Sequence, residues 1–327
     1  MAYTVLNTQK TADVTMSSVY AEHMLALMEK DSRVMQLEAD LARSVLGIGV
    51  IEEMQKRFPK QYVDCGIQEA NMISVAAGLS VMGRIPFAHT FAPFASRRVA
   101  DQTFISGSYA DANVRILASD PGVTAQLNGG THMPFEDVGI YRTFPKMTII
   151  EPSDAVMLGD LVDQLASLYG MFYIRFFRKN AQTIYAEGST FEIGKANMLR
   201  DGSDVTIIAS GVIMIPEALK AADILKEEGI SARVLDMFTI KPLDEYAVVA
   251  AALETGAIVT AENHNVINGL GSAVADVLAT RQYAPLEKVG VADQFGQVGP
   301  LKFLMEYYHL TAADIVAAAK RAIARKK

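Results

Sequence analysis

A single cysteine, no run of 18 consecutive apolar residues and no surplus of basic side chains set the first limits on this 327-residue chain. One thiol, Cys65, cannot close an internal disulfide, so a reducing compartment is expected. Without an apolar run near the thickness of a bilayer, no membrane span is expected. The opening stretch MAYTVLNTQKTADVTMSS has no basic region followed by an apolar core, so no secretory signal is expected and a cytoplasmic location follows. A net charge of −7 argues against a nucleic-acid partner, which would call for a basic face. It also gives no attraction to an anionic membrane surface. Repeats of 20–50 residues and low-complexity tracts are missing too, which sets aside solenoids and disordered linkers.

What is present is ordinary in bulk: 50% hydrophobic and 20% charged residues, the balance of a folded protein. With one core serving roughly 100–200 residues, the chain is long enough for two domains. Short runs rich in Val, Ile, Phe and Tyr predict strands at 33–40, 61–66, 85–90, 113–119, 146–152 and 171–177. Helical spacing predicts helices at 69–82 and 152–169, the second opening on a Ser-Asp cap signal. A second cycle has strands at 204–211, 230–237 and 257–263 and helices at 215–229, 243–256 and 269–281. Strands alternating with helices imply crossover units and parallel sheets. The turn-rich stretch 180–203 separates the cycles. The expected fold is α/β, two consecutive mainly parallel-sheet domains over 1–190 and 191–327. Ligands of such sheets bind beyond the carboxyl ends of the strands, and Gly66, His89, Asp120 and Glu262 are expected at or just after those ends.

One acid raises a question. In VDCGIQEANMISVAAGLSVMG, residues 63–83, Glu69 stands where a polar stretch gives way to an apolar helix. The helix dipole favours a carboxylate there whatever else it does, so position alone leaves a capping role and a ligand-facing role both open. HTFAPFASRR, residues 89–98, puts Phe91 and Phe94 just past a strand end, suited either to core packing or to a ring-shaped ligand. AQLNGGTHMPFED, residues 125–137, joins paired glycines, which allow close backbone approach to a ligand, to His132. A histidine in that setting suits proton handling or hydroxyl recognition. The glycines of GLGSAV, 269–274, lack the full G-x-G-x-x-G pattern, so no dinucleotide site is expected there.

Taken in order, EADL, CGIQEANM, HTFAPF, GGTHMPFED, IIEPSD and FRKN resemble the second half of a transketolase, its pyrimidine-binding and C-terminal domains, from about Val34 onward. Each motif alone is weak; six in the family's order are specific. The resemblance implies thiamine diphosphate, an electron-sink cofactor. Glu69 matches the glutamate that bonds the pyrimidine nitrogen and, with His132, is an implied catalytic group. Phe91 and Phe94 match the aromatics that pack on that ring, and Asp40 matches an acid near the cofactor. At the substrate end, Ser44 matches a serine that holds a sugar phosphate. His132 matches a histidine that contacts donor hydroxyls. Arg178 matches an arginine for the acceptor's phosphate, with Arg175 as the alternative. Asn128 stands where the family has an acid and is counted with Ser44, His132 and Arg178 as substrate-binding.

Other departures cluster at the sugar end. Ser119-Asp120 replaces His-Asp, Arg97 replaces an aromatic, and no arginine appears among residues 11–32 to help bind phosphate. These changes put the usual pentose phosphates in doubt as substrates. Arg97 and Arg98 offer either a relocated anion site or a solvated helix face. Also missing is the Gly-Asp-Gly motif with its later asparagine, which holds the diphosphate through Mg2+ or Ca2+. Gly159-Asp160 falls in a helical stretch instead. No metal ligand is therefore assigned to this chain. The resemblance implies the C-terminal subunit of a split transketolase. Its partner is an N-terminal subunit carrying the diphosphate domain and the metal, in an α2β2 assembly. The implied reaction moves a two-carbon ketol unit from a ketose or its phosphate to an aldose or its phosphate. Glu262 and His264 are expected at subunit contacts. Two alternatives are the β subunit of a 2-oxoacid dehydrogenase and a non-catalytic partner-binding relative. HTFAPF and GGTHMPFED favour transketolase, and Glu69, Phe91, Phe94 and His132 together speak against a scaffold.

Overall fold

The structure, a computed structural model, describes residues 2–6, 8 and 10–326. The chain divides into two compact units. One runs to Pro121 and resumes over Ile140–Phe191; the other takes Gly122–Gly139 and everything from Glu192 onward.

In the first unit, α1 (Met16–Lys30) leads into β1 (Val34–Glu38), α2 (Ala42–Val45), α3 (Ile48–Arg57), β2 (Tyr62–Asp64) and α4 (Glu69–Val81). Then come β3 (Ile85–Phe91), α5 (Ala100–Gln102) and β4 (Val114–Ser119). After α6 (Asp137–Arg142) follow β5 (Met147–Ile150), α7 (Ala155–Leu165) and β6 (Met171–Phe176). The strands lie in the order β5-β6-β4-β3-β1-β2, every pair parallel. β1, β3, β4 and β6 are buried at every residue, as strands covered on both faces must be. Polar residues on them therefore have to find partners inside the sheet.

The second unit holds β7 (Asn197–Arg200), β8 (Val205–Ala209), α8 (Gly211–Glu227), β9 (Ala232–Asp236), β10 (Thr239–Lys241) and α9 (Glu245–Thr255). It continues with β11 (Ile258–Asn265), α10 (Leu270–Thr280), β12 (Leu286–Val291), α11 (Leu301–Tyr307) and α12 (Ala312–Ala324). Its sheet runs β12-β11-β8-β9-β7, parallel except for β7 against β9. Ile208, Leu235, Val248, Ile258 and Val274 belong to the core between this sheet and its helices.

Two mainly parallel α/β sheets are what the alternating pattern predicts. The long helices α1 and α12 and the strand β12 were not among the predicted elements, and neither were the shorter α2, α3, α5, α6, β7, β10 and α11. The helix expected at 215–229 begins earlier, at Gly211, and carries Pro216 in its second turn at the expense of one backbone bond. The stretch Gly122–Gly139 packs with the second unit, although it lies in the first half of the sequence. Asn263 explains this in part: its Oδ1 accepts the Val123 N–H at 2.9 Å. The Phe135 ring also meets Tyr308 edge-on at 5.2 Å. No helix among the described residues is long and apolar enough to cross a membrane.

Candidate active site

The first unit gathers most of the predicted site residues at the carboxyl ends of β1, β3, β4 and β6 and the amino end of α4. Gly66, at φ +70°, turns the chain after β2, and its N–H donates to Asp64 Oδ1 at 2.9 Å. That turn delivers Glu69 as the first residue of α4, only 3% exposed. Arg98 Nη1 donates to Glu69 Oε1 at 2.6 Å. The same guanidinium lies over the Phe94 ring, its Cζ 3.8 Å from the centroid. Phe94 and Phe91 lie 6.3 Å apart, tilted by 59°. Phe91 is the last residue of β3, not a residue beyond it, and is nearly buried.

From Phe91 the row continues to Arg178, whose Cζ is 5.3 Å from the Phe91 centroid. Arg178 Nε pairs with Asp120 Oδ2 at 2.8 Å, and its backbone N–H donates to Oδ1 at 3.2 Å. Its Nη1 also reaches the carbonyl of Ser44 at 3.5 Å. Ser44 is exposed, and its hydroxyl donates to Leu41 O at 2.9 Å. Asp40 is exposed at φ +59°, and its N–H donates to Asp64 Oδ1 at 3.2 Å. Arg175, the alternative to Arg178, lies inside β6, fully buried and paired with Glu151 at 2.8 Å. It is therefore unavailable to a ligand. Burial pushes the Asp120 carboxyl up to about 6, and the opposing pull of Arg178 only partly offsets it.

Beneath this row runs a hydrogen-bonded chain that the sequence reading did not assemble. Tyr20 OH donates to Gln36 Oε1 at 2.6 Å, and Gln36 Nε2 donates to Glu38 Oε1 at 2.7 Å. His89 Nδ1 lies 2.9 Å from Glu38 Oε2, and His89 Nε2 lies 3.1 Å from Ser119 Oγ. None of the five side chains reaches solvent. His89 lies within β3, two residues before its carboxyl end, near the strand end where it was expected. Burial pushes the Glu38 carboxyl up, against the pull of His89. A satisfied buried network of this kind rigidifies the sheet under the site. The signal available in sequence was Glu38, His89 and Ser119 on otherwise apolar strands, where unpaired polar groups are costly.

His132 and Asn128 belong to the second unit. Asn128 is exposed at the end of the helical turn Gly122–Asn128, and His132 is half-buried with Nδ1 2.9 Å from Thr131 Oγ1. The paired glycines before His132 serve packing. A Cβ on Gly130 would come within 2.4 Å of the Gly296 carbonyl oxygen, and Gly129 is at φ +77°. Close backbone approach is indeed their use, but to this chain's own 296–298 segment.

Glu262 and His264 are interior residues, 2% and 1% exposed, not surface contacts. Glu262 Oε2 and Oε1 accept the N–H groups of Leu270 and Gly271 at 2.6 and 2.8 Å, capping α10. A Cβ at Gly269 would lie 1.8 Å from Glu262 Oε2, so this glycine makes room for the cap. Gly159-Asp160 is mid-helix in α7, with Asp160 Oδ2 accepting the Phe191 N–H at 2.9 Å. Among the described residues, no group of three His, Cys, Asp or Glu side chains is placed to hold a metal ion.

The pairing of Glu69 with Phe94 suits a flat, hydrogen-bond-donating ring. A buried carboxylate offers acceptors at its edge, Phe94 offers an aromatic face, and a planar guanidinium already meets both. That geometry fits the aminopyrimidine of thiamine diphosphate.

Comparison with known proteins agrees. The family described as "Transketolase, pyrimidine binding domain" matches residues 12–183, and "Transketolase, C-terminal domain" matches 194–315. The 6-deoxy-6-sulfo-D-fructose transketolase subunit SqwH of Clostridium sp. (strain MSTE9) is 48% identical, over 94% of this chain and 94% of its own length. An apulose-4-phosphate transketolase subunit of Phocaeicola vulgatus is 36% identical over 84% of this chain and 86% of its own. A solved split-gene transketolase, described as an inactive β4 tetramer, superposes with a TM-score of 0.88 at 39% identity, covering 96% of this chain and 100% of that one. With both of its units matched in order and relatives of the same length on either side, the chain belongs to the transketolase family.

Proposed function

We propose that this chain is the C-terminal subunit of a split transketolase, working in the cytoplasm with an N-terminal subunit in an α2β2 complex. The observation that carries the reading is the buried Glu69 carboxylate opening beside Phe94 at the carboxyl edge of a parallel sheet. Bound thiamine diphosphate would supply an electron sink for the carbon–carbon bond that is cleaved and remade in ketol transfer. Glu69 binds and orients the pyrimidine edge, its acceptor strengthened by exclusion of water. Phe91 and Phe94 pack against the ring and keep water away. Asp40 lies near the cofactor. Arg178, steadied by Asp120 and Phe91, binds an anionic group of the acceptor through its guanidinium fork, with Ser44 beside it. His132, with Asn128 nearby in sequence, contacts donor hydroxyls.

The diphosphate and its Mg2+ or Ca2+ are held by the partner subunit; the matches of this chain to the pyrimidine-binding and C-terminal families support that division. Relatives named for sulfofructose and for apulose 4-phosphate support an anion-tagged ketose as the donor class. The test is reconstitution. This chain and the diphosphate-domain subunit, with thiamine diphosphate and Mg2+, should move a two-carbon unit from a ketose to an aldose. Turnover of pyruvate with an electron acceptor, and none with sugars, would overturn the reading.

A further inference from the structure

We propose that Arg98 acts as an internal stand-in for the cofactor's pyrimidine, holding Glu69 and covering Phe94 until thiamine diphosphate displaces it. The inference rests on the function proposed above. A guanidinium is planar and delocalised, with N–H donors around its edge. Those are the features a carboxylate beside an aromatic face selects. Arg98 uses both at once, with its Nη1 2.6 Å from Glu69 Oε1 and its Cζ 3.8 Å from the Phe94 centroid. A ring that stacks on the same Phe94 face and takes its hydrogen bond from Glu69 Oε1 competes with Arg98 for both.

Two further features make Arg98 a displaceable occupant. It stands on the helical turn Arg97–Val99, and its side chain is already 44% exposed, so swinging outward returns the charge to water. Glu69 is its only ion-pair partner among the described residues. Glu69 is the opposite case: a carboxylate with 3% exposure is costly if left unpaired. Arg98 thus satisfies the cofactor-free subunit, and the cofactor must compete for the position. Its apparent affinity is lowered by the fraction of subunits in which Arg98 is bonded to Glu69.

The test is calorimetric titration of thiamine diphosphate, with Mg2+, into the complex of this chain with the diphosphate-domain subunit. Arg98→Met keeps the apolar stem over Phe94 and removes the donors. It should tighten the dissociation constant about tenfold. The observed binding rate should level off with cofactor concentration in the unmodified complex, where opening limits it, and stay linear in the variant. An unchanged or weaker dissociation constant for an intact Arg98→Met complex would overturn the proposal. A second measurement needs no variant: in a crystal of the cofactor-loaded complex, Arg98 should have left Glu69. Arg98 still bonded to Glu69 beside bound cofactor would overturn it as well. If the unmodified complex binds no thiamine diphosphate at all, the proposed function fails and takes this inference with it.

Discussion

Replacing Glu69 with Ala would remove an acceptor while leaving Arg98 able to take its charge into water, since that side chain is already 44% exposed. The expected result is therefore a loss of function with little loss of fold. Glu69→Ala should lower ketol transfer by the reconstituted enzyme at least ~10²-fold, the scale of a lost acid–base partner. The melting temperature of the subunit should stay within a few degrees. Near-normal turnover would contradict the role. Asp120 behaves differently, because its environment works against its charge. Its carboxyl ordinarily titrates at 3.8 and is pushed up to about 6 here, so the folded protein keeps a proton that the unfolded chain gives up first. The stability contributed by neutral Asp120 is complete below about pH 4 and is lost as pH rises through about 6. At ~1.4 kcal/mol per unit, that loss is ~3 kcal/mol. Asp120→Asn has no such titration. Urea melts from pH 4 to 7 should show the native protein losing ground relative to Asp120→Asn; parallel curves would exclude it.

Among the elements, α7 depends most plainly on one side chain. Asp154 Oδ1 accepts the Met157 N–H at 2.9 Å, and Oδ2 accepts those of Ile184 and Tyr185 at 2.9 and 2.8 Å. Asp154→Ala would strand all three donors in the interior, at a cost of ~2–4 kcal/mol. Thermal melts should show that loss while specific activity per folded molecule is retained. This cap was legible in sequence as PSDAV, and so was the alternation of strands and helices, because buried parallel strands are continuous apolar runs between turn residues. α12 was legible in principle: Thr311 and Asp314 form a reciprocal cap, with N–H to side-chain distances of 3.4 and 3.2 Å. What could not be read was anything set by register between strands. Glu38 and His89 become partners because β1 and β3 align them, and nothing local to either residue announces it. Arg98 meeting Glu69 across 29 positions of sequence is of the same kind. The glycines before His132 show a limit of a different sort, since a close approach was foreseeable but its partner was not.

For the molecule as a whole, the two units carry the pyrimidine-binding and C-terminal parts of the family. The expectation is a subunit that folds alone and cannot turn over alone. The purified chain should bind thiamine diphosphate weakly and show no ketol transfer by coupled assay. Added diphosphate-domain subunit should restore activity and shift the light-scattering mass to that of a four-chain complex. Full activity from the chain by itself would remove the need for a partner.

The contact between Gly130 and Gly296 has a practical consequence for anyone altering either stretch. Main chain touches main chain there, with no side chain to absorb a change. Residues 122–135 and 293–299 therefore behave as one graft: exchanging either with a relative's version calls for exchanging the other. An alanine at position 130 would press on the Gly296 carbonyl and shift the backbone that carries His132.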